Sequence, residues 1–278
     1  MKLCNILVNG EIHLAVGTPR GIVDAAAAGF AGTMDQVIAG GVPETLRSLA
    51  ADEALPIVEE PDFANVVDHP EKLLCVGRNY TAHALGANHA IPTSPLLFSK
   101  FSDSLTHHGA VVPLPAWETH FDAEAELVIV IGKTAYNVSE EEAGDCIFGY
   151  TCGNDVSCRP AQNYSSQWLI GKSMPAFGPC GPWIVTADEL DPEKGVEVRG
   201  YVNGELRQSG NTLDMMFPCR TIVSYASRFL CLRPGDLIFS GTPSGTAMER
   251  KEERFFLHPG DVAEVEIQGL GVLRNVMG

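Results

Sequence analysis

Carboxylates at alternate positions are the first residues in this chain whose types and spacing could do chemistry. In His120-Phe121-Asp122-Ala123-Glu124-Ala125-Glu126 three acids fall two apart, and the apolar run Leu127 to Ile131 that follows has no helical period. On a strand, residues two apart share a face, so Asp122, Glu124 and Glu126 are expected to point the same way. Acids of one sign on one face repel unless a cation or solvent lies among them. A second strand-like run, Ile147 to Asn154, ends on Asp155. Three oxygen ligands drawn from two such strand ends suit a hard divalent cation, Mg²⁺ or Mn²⁺. The other reading is a solvated strand face plus an Asp in a turn.

Two cationic candidates accompany the acids. His83 follows the strand-like Lys72 to Val76, after a break at Gly77, in a segment rich in glycine and alanine that could move and still carry chemistry. Lys172 lies among apolar neighbours from Leu169 to Phe177, where a half-buried lysine near a metal could hold substrate oxygens. Gly171-Lys172-Ser173 is not a P-loop, since Ser166 stands where its first glycine belongs. A surface histidine and a solvated lysine are the plain alternatives.

The elements that must position these groups read as a β-rich α/β chain. Its 278 residues, 45% of them hydrophobic, suffice for a sizeable core. The net charge of −16 argues against nucleic acid or an anionic membrane surface as partner, and no apolar run approaches spanning length. The N-terminus lacks the pattern of a signal peptide. Eight cysteines, none in a C-x-x-C pair, point to reduced thiols and a cytoplasmic protein. Asn9-Gly10 and Asn203-Gly204 predict two hairpins. Thr33, Pro43, Ser139 and Pro218 are expected to open short helices. A boundary is placed between Pro56 and Pro70, giving a small N-terminal α+β domain over 1–68 and a main domain over 69–278. Many short strands punctuated by Gly and Pro predict a closed or strongly curved sheet.

Five motifs in order then resemble the catalytic domain of the fumarylacetoacetate hydrolase family, from about Lys72 to the C-terminus. They are Cys75-Val76-Gly77-Arg78-Asn79-Tyr80 with His83; Glu124-Ala125-Glu126-Leu127; Gly153-Asn154-Asp155-Val156-Ser157; Gln167-Trp168 with Gly171-Lys172-Ser173; and Gly241-Thr242-Pro243-Ser244-Gly245. The resemblance implies the family's mixed β-roll, a homodimer, and a divalent metal on Glu124, Glu126 and Asp155. It implies Lys172 beside the substrate oxygens and Thr242 at a substrate carboxylate. It also implies Arg78, Tyr80 and Gln167 as substrate contacts, and His83 as base or lid histidine.

The chain departs from the family at two kinds of place. Gly86 stands where many members carry a glutamate that helps the histidine orient a water. Acids are also missing from Ser157-Cys158-Arg159-Pro160 and Ser173-Met174-Pro175. In better-known eukaryotic members a glutamate downstream of the threonine serves the histidine, which makes Glu249 the candidate here. It opens a polar segment, Glu249 to Arg254, free to fold over the site; a solvated loop glutamate is the alternative. The expected activity is metal-dependent hydrolysis of a carbon–carbon bond in a diketo or acylpyruvate-like 2-oxo acid. Its rivals are a decarboxylase or keto–enol tautomerase of an oxaloacetate-like acid, and a protein that binds a 2-oxo acid without turnover.

Overall fold

The computed structural model describes residues 1–86, 91–250 and 256–278. The strand Ala125–Ile131 is the centre of the molecule: all seven of its residues are buried. Its odd-numbered side chains, Leu127, Ile129 and Ile131, pack with Val198, Val265, Ile267 and Leu273. Its even-numbered ones, Val128 and Val130, pack with Leu3, Met34, Leu46, Cys75 and Phe239. A strand buried on both faces needs apolar residues at every position, which is why this run shows no alternation.

Around it runs a ten-stranded mixed sheet. In spatial order the strands are Gly21–Asp24, Glu11–Thr18, Lys2–Val8, Gly178–Thr186, Ile147–Asn154, Ala125–Ile131, Leu237–Phe239, Leu73–Gly77 and Leu96–Lys100, with Leu105–Thr106 beside Gly178–Thr186. A five-stranded sheet covers one face: Glu205–Asn211, Glu197–Val202, Val262–Ile267, Gly271–Met277 and Val111–Val112. Helix Cys219–Ser227 packs into the first core, and Met34–Gly40 and Glu44–Ala51 close the second.

The Asn-Gly hairpins and the capping boxes at Thr33–Gln36 and Ser139–Glu142 form as expected. The division expected near residue 68 is bridged by hydrogen bonds: Lys2 and Leu3 pair with Val185 and Ile184, so the N-terminal hairpin extends the main sheet. All eight cysteines are unpaired. Among the described residues no helix is long and apolar enough to cross a membrane.

One expectation about the acidic stretch is corrected. The chain from His120 to Ile131 is two strands, Phe121–Asp122 and Ala125–Ile131, which join different partners. The break at Ala123-Glu124 ends the strict alternation, so Asp122 leaves the company of Glu126.

The loop ends that carry the site are tied by Asn79, which is fully buried. Its amide donates to the carbonyls of Phe217 at 3.0 Å and Ser240 at 2.7 Å, and accepts from Phe217 N–H at 2.9 Å. Asn79→Ala leaves three backbone groups without partners at a dry joint. It is expected to cost roughly 3 kcal/mol and to lower Tm by on the order of 5–10 °C in a thermal scan. An unchanged Tm would show that Asn79 is not a joint.

Candidate active site

The acids reach their site through backbone pairing. Register sets Glu126 opposite Gly153 and Ala125 opposite Asn154, so the two strand ends arrive together. The Glu124 N–H donates to Asn154 Oδ1 at 3.0 Å, and the Glu124 carbonyl accepts from Asp155 N–H at 2.9 Å. Glu124, Glu126 and Asp155 each offer an oxygen within 4.8 Å of the others, the one such group of three among the described residues. All three are buried, which rules out the solvated strand face.

Three cations meet these acids. Lys172, at the end of the short helix Leu169–Lys172, donates to Glu124 Oε2 and Asp155 Oδ2, both at 2.6 Å. Lys100, closing the strand Leu96–Lys100, donates to Asp155 Oδ1 at 2.5 Å. Arg159 donates to Glu124 Oε1 at 2.7 Å and forks onto Asp122 Oδ2 at 2.9 and 2.6 Å. Burial opposes the charge on Lys172, yet Asp155 and Glu124 hold its ammonium above the usual lysine range. Burial also opposes ionisation of Glu124, but Lys172 and Arg159 draw it well below the usual carboxylate range. Glu126 differs. Burial, then Asp155 and Glu124, push it well up. Its Oε2 accepts from Gly241 N–H at 2.7 Å, and no cationic side chain among the described residues forms an ion pair with it. Gly241 is bound to be glycine: its φ is +100°, and a Cβ there would lie 2.7 Å from Asn79 Cβ.

Counting Asp122, four buried carboxylates face three buried cations. A divalent cation among Glu124, Glu126 and Asp155 would turn this excess of one negative charge into an excess of one positive charge, and so favour the ionised form that burial and the neighbouring acids oppose at Glu126. The all-oxygen donor set fits a hard ion. The residues present therefore fit the group that the acid pattern suggested.

His83 stands beside this cluster on the short helix Thr81–Gly86. Its Nδ1 lies 2.5 Å from Glu249 Oε1, with both side chains nearly buried. With Nδ1–H donating to the carboxylate, Nε2 is the nitrogen left with a lone pair. Glu249 is itself held by the Thr246 hydroxyl, 2.9 Å from Oε1, and by Gly245 N–H, 3.3 Å from Oε2. A Cβ on Gly86 would lie 2.7 Å from Glu249 Oε2. The Glu249 carboxylate thus occupies the space that a side chain on residue 86 would fill. Residues 251–254 of the polar segment lie outside the described residues.

A cavity of about 40 Å³ opens on the acids. His83, Arg78, Phe98, Trp168, Lys172, Thr242 and Met248 line it, with Arg159 and Gln162. Arg78 adopts φ +57°, stacks its guanidinium 5.4 Å from the Trp168 ring centre and forms no ion pair among the described residues. Thr242 lines the cavity, but its hydroxyl donates to Ala125 O at 2.9 Å and accepts from Gln208 Nε2 at 2.7 Å. A substrate carboxylate would have to turn that hydroxyl away from Ala125.

Two expected substrate contacts are not brought to the cavity. Tyr80 is buried in the main core, where its backbone bridges to Met215. Gln167 is exposed, in a turn closed by Ser165 Oγ. Gln162 faces the site instead, accepting from Arg159 Nη1 at 3.0 Å. Lys100, Arg159 and Gln162 escaped the sequence reading. The signal for Lys100 was a lysine two residues from Phe98, closing a strand that opens on Leu96, Leu97 and Phe98; for the others it was a proline at position 160, in the first turn of the short helix Arg159–Gln162.

Residues 72–277 match the protein family described as fumarylacetoacetate (FAA) hydrolase, C-terminal. The chain is 41% identical to a 2,4-didehydro-3-deoxy-L-rhamnonate hydrolase of Sphingomonas sp. (strain SKA58), over 86% of each chain. It is 36% identical to the human mitochondrial oxaloacetate tautomerase FAHD2A, over 97% of this chain and 88% of that one. A solved structure of a fumarylacetoacetate hydrolase from psychrophilic Exiguobacterium antarcticum superposes with a TM-score of 0.89 at 32% identity, covering 100% of this chain and 99% of that one.

Two outcomes test the site. Glu126→Gln should weaken Mn²⁺ binding, read by titration calorimetry, by on the order of 10²-fold, since even supporting partners of a metal site cost up to that. Because the raised Glu126 carboxyl must lose its proton to ligate, wild-type affinity should strengthen as pH rises; pH-independent binding would count against Glu126 as a ligand. Separately, Gly86→Ala should leave Tm close to the wild-type value, since its Cβ meets only the far end of a side chain, while lowering turnover by pushing Glu249 aside. Full turnover in that variant would dissociate Glu249 from the site.

Proposed function

The chain belongs to the fumarylacetoacetate hydrolase family, and on that premise we propose that it hydrolyses a carbon–carbon bond in a diketo or acylpyruvate-like acid. It is an enzyme of the family's hydrolase, isomerase and tautomerase kind, acting on acylpyruvate-like substrates. The observation that carries the hydrolytic reading is the pairing of His83 with Glu249 beside the three metal-capable acids. Hydrolysis, unlike decarboxylation, needs a base to activate water, and the sequence alone left that base without an acid at Gly86.

In this reading Glu124, Glu126 and Asp155 hold Mg²⁺ or Mn²⁺. Such an ion supplies Lewis-acid polarisation of the 2-oxo group. Arg78, the cavity arginine without an ion pair among the described residues, receives a substrate carboxylate; Thr242 contributes once its hydroxyl turns. His83 Nε2 takes a proton from water as the water oxygen attacks the second carbonyl. The carbon–carbon bond then breaks and its electron pair moves into the 2-oxo acid fragment, which becomes an enolate. Lys172 places positive charge beside that enolate. His83 returns the proton to the leaving carbon. Glu249 keeps Nδ1 protonated, so that Nε2 is the basic nitrogen throughout.

A second reading is favoured by the relatives: the human one is named an oxaloacetate tautomerase. For that reaction His83 need only move a proton between carbon and enol oxygen. A homodimer, implied by the resemblance, and a reducing cytoplasmic setting, supported by the unpaired thiols, complete the proposal.

The test is to incubate the Mg²⁺-loaded protein with acetylpyruvate and with oxaloacetate and follow both by NMR. Hydrolysis gives pyruvate and acetate in equal amounts; tautomerisation interconverts keto and enol forms with no new acid. Glu249→Gln should lower hydrolysis by on the order of 10²-fold. Oxaloacetate enol loss without pyruvate from acetylpyruvate would replace the hydrolase reading with the tautomerase one.

A further inference from the structure

Asp122 belongs to the acidic stretch but not to the metal-capable triad, and its surroundings give it a different task. It is 3% exposed. Its Oδ1 accepts from Ala247 N–H at 3.0 Å, and its Oδ2 lies 3.3 Å from Met248 N–H. The same Oδ2 takes Nε and Nη2 of Arg159 at 2.9 and 2.6 Å. One carboxylate thus gathers four donors from two chain segments. Two of these donors are the backbone N–H groups immediately before Glu249.

The neighbouring residue, Phe121, accepts from Leu257 N–H at 2.7 Å. The chain therefore departs from the short strand Phe121–Asp122 at Ala247 and returns to it at Leu257. That strand is fixed in turn by Ser157–Cys158. Arg159 balances the charge on Asp122 and reaches across to Glu124.

We propose that Asp122 is a positioning residue that acts through the Ala247–Glu249 turn to hold the Glu249 carboxylate against His83. The inference rests on the reading of Glu249 as the partner of His83. Ala247 is itself buried, so loss of Asp122 leaves its N–H without an acceptor in a dry place, and the turn must shift to find one. A shift of about 1 Å at Glu249 is enough to break a 2.5 Å contact and to misplace the base.

The experiment reads the contact directly. A histidine Nδ1–H held by a carboxylate gives a far-downfield proton resonance in ¹⁵N-histidine-labelled protein. It is expected in the wild type, absent in Glu249→Gln, and lost or moved upfield in Asp122→Ala, which leaves Ala247 N–H no side-chain oxygen to meet. Mn²⁺ affinity in Asp122→Ala should stay within about threefold of wild type, and kcat should fall by on the order of 10-fold or more, on whichever of acetylpyruvate and oxaloacetate the wild type turns over. If Asp122→Ala fails to fold, replacing Ala247 by its α-hydroxy analogue deletes only the N–H and should give the same spectral change. An unchanged resonance in Asp122→Ala or in the ester variant overturns the inference. So does a parallel loss of Mn²⁺ affinity, which would assign Asp122 to Glu124 through Arg159. No downfield resonance in the wild type would instead defeat the His83–Glu249 pairing on which the proposal stands.

Discussion

Buried charge must be balanced where it lies, and that constraint organises this molecule. Asp122, Glu124, Glu126 and Asp155 are each at most 6% exposed. Moving isolated carboxylates out of water costs several kcal/mol apiece, so each needs a cation or several hydrogen-bond donors at close range. Lys100, Arg159 and Lys172 meet the need for three of the four. Such a cluster adds little net stability, because replacing it with apolar residues would often serve the fold as well. Its presence in the centre of a well-packed sheet is a sign of function. Glu126, the one of these acids without a cationic partner among the described residues, is where a divalent cation would supply the missing positive charge, whatever the sign of the whole chain.

The same constraint explains the approach of the peripheral segments. Lys172 reaches Asp155 because two short helices, Arg159–Gln162 and Leu169–Lys172, pack against each other and against Ser157–Cys158. Pro160 is compatible with this, since the first turn of a helix has no use for its missing N–H. Trp168 closes the other side, its ring crossing Phe98 edge-on at 5.3 Å and supporting Arg78.

The histidine shows how a required group can come from either of two places in a chain. A carboxylate beside His83 could be supplied three residues along the same helix or, as here, from 166 residues away. Gly86 and Glu249 are complementary: the first has no side chain where the second places its oxygen. What the contact fixes is a position in space relative to an imidazole nitrogen. Thr246 and Asp122 anchor the 245–249 turn that carries Glu249 to it.

Local physics made much of this legible from sequence. Asn-Gly pairs specify hairpins, Ser and Thr three residues before Glu or Gln specify helix starts, and an unbroken β-branched run specifies a strand covered on both faces. The ordered motifs gave the acids, His83, Lys172 and the family. Glu249 was reached as a candidate only through the resemblance, which places a glutamate that serves the histidine downstream of Thr242. Tertiary structure alone decided the rest. Strand register does not announce a break such as the one at Ala123-Glu124, so Asp122 read as a companion of Glu126. Gln167 and Gln162 are equally polar and five residues apart, and only helix packing chooses which one faces the cavity. Lys100 pairs with Asp155 through contacts between segments distant in sequence, and no periodicity encodes which distant charges will meet. The sequence by itself determined which groups are present and how short stretches fold; long-range packing determined which charges are buried together, and burial is what gives them their chemistry.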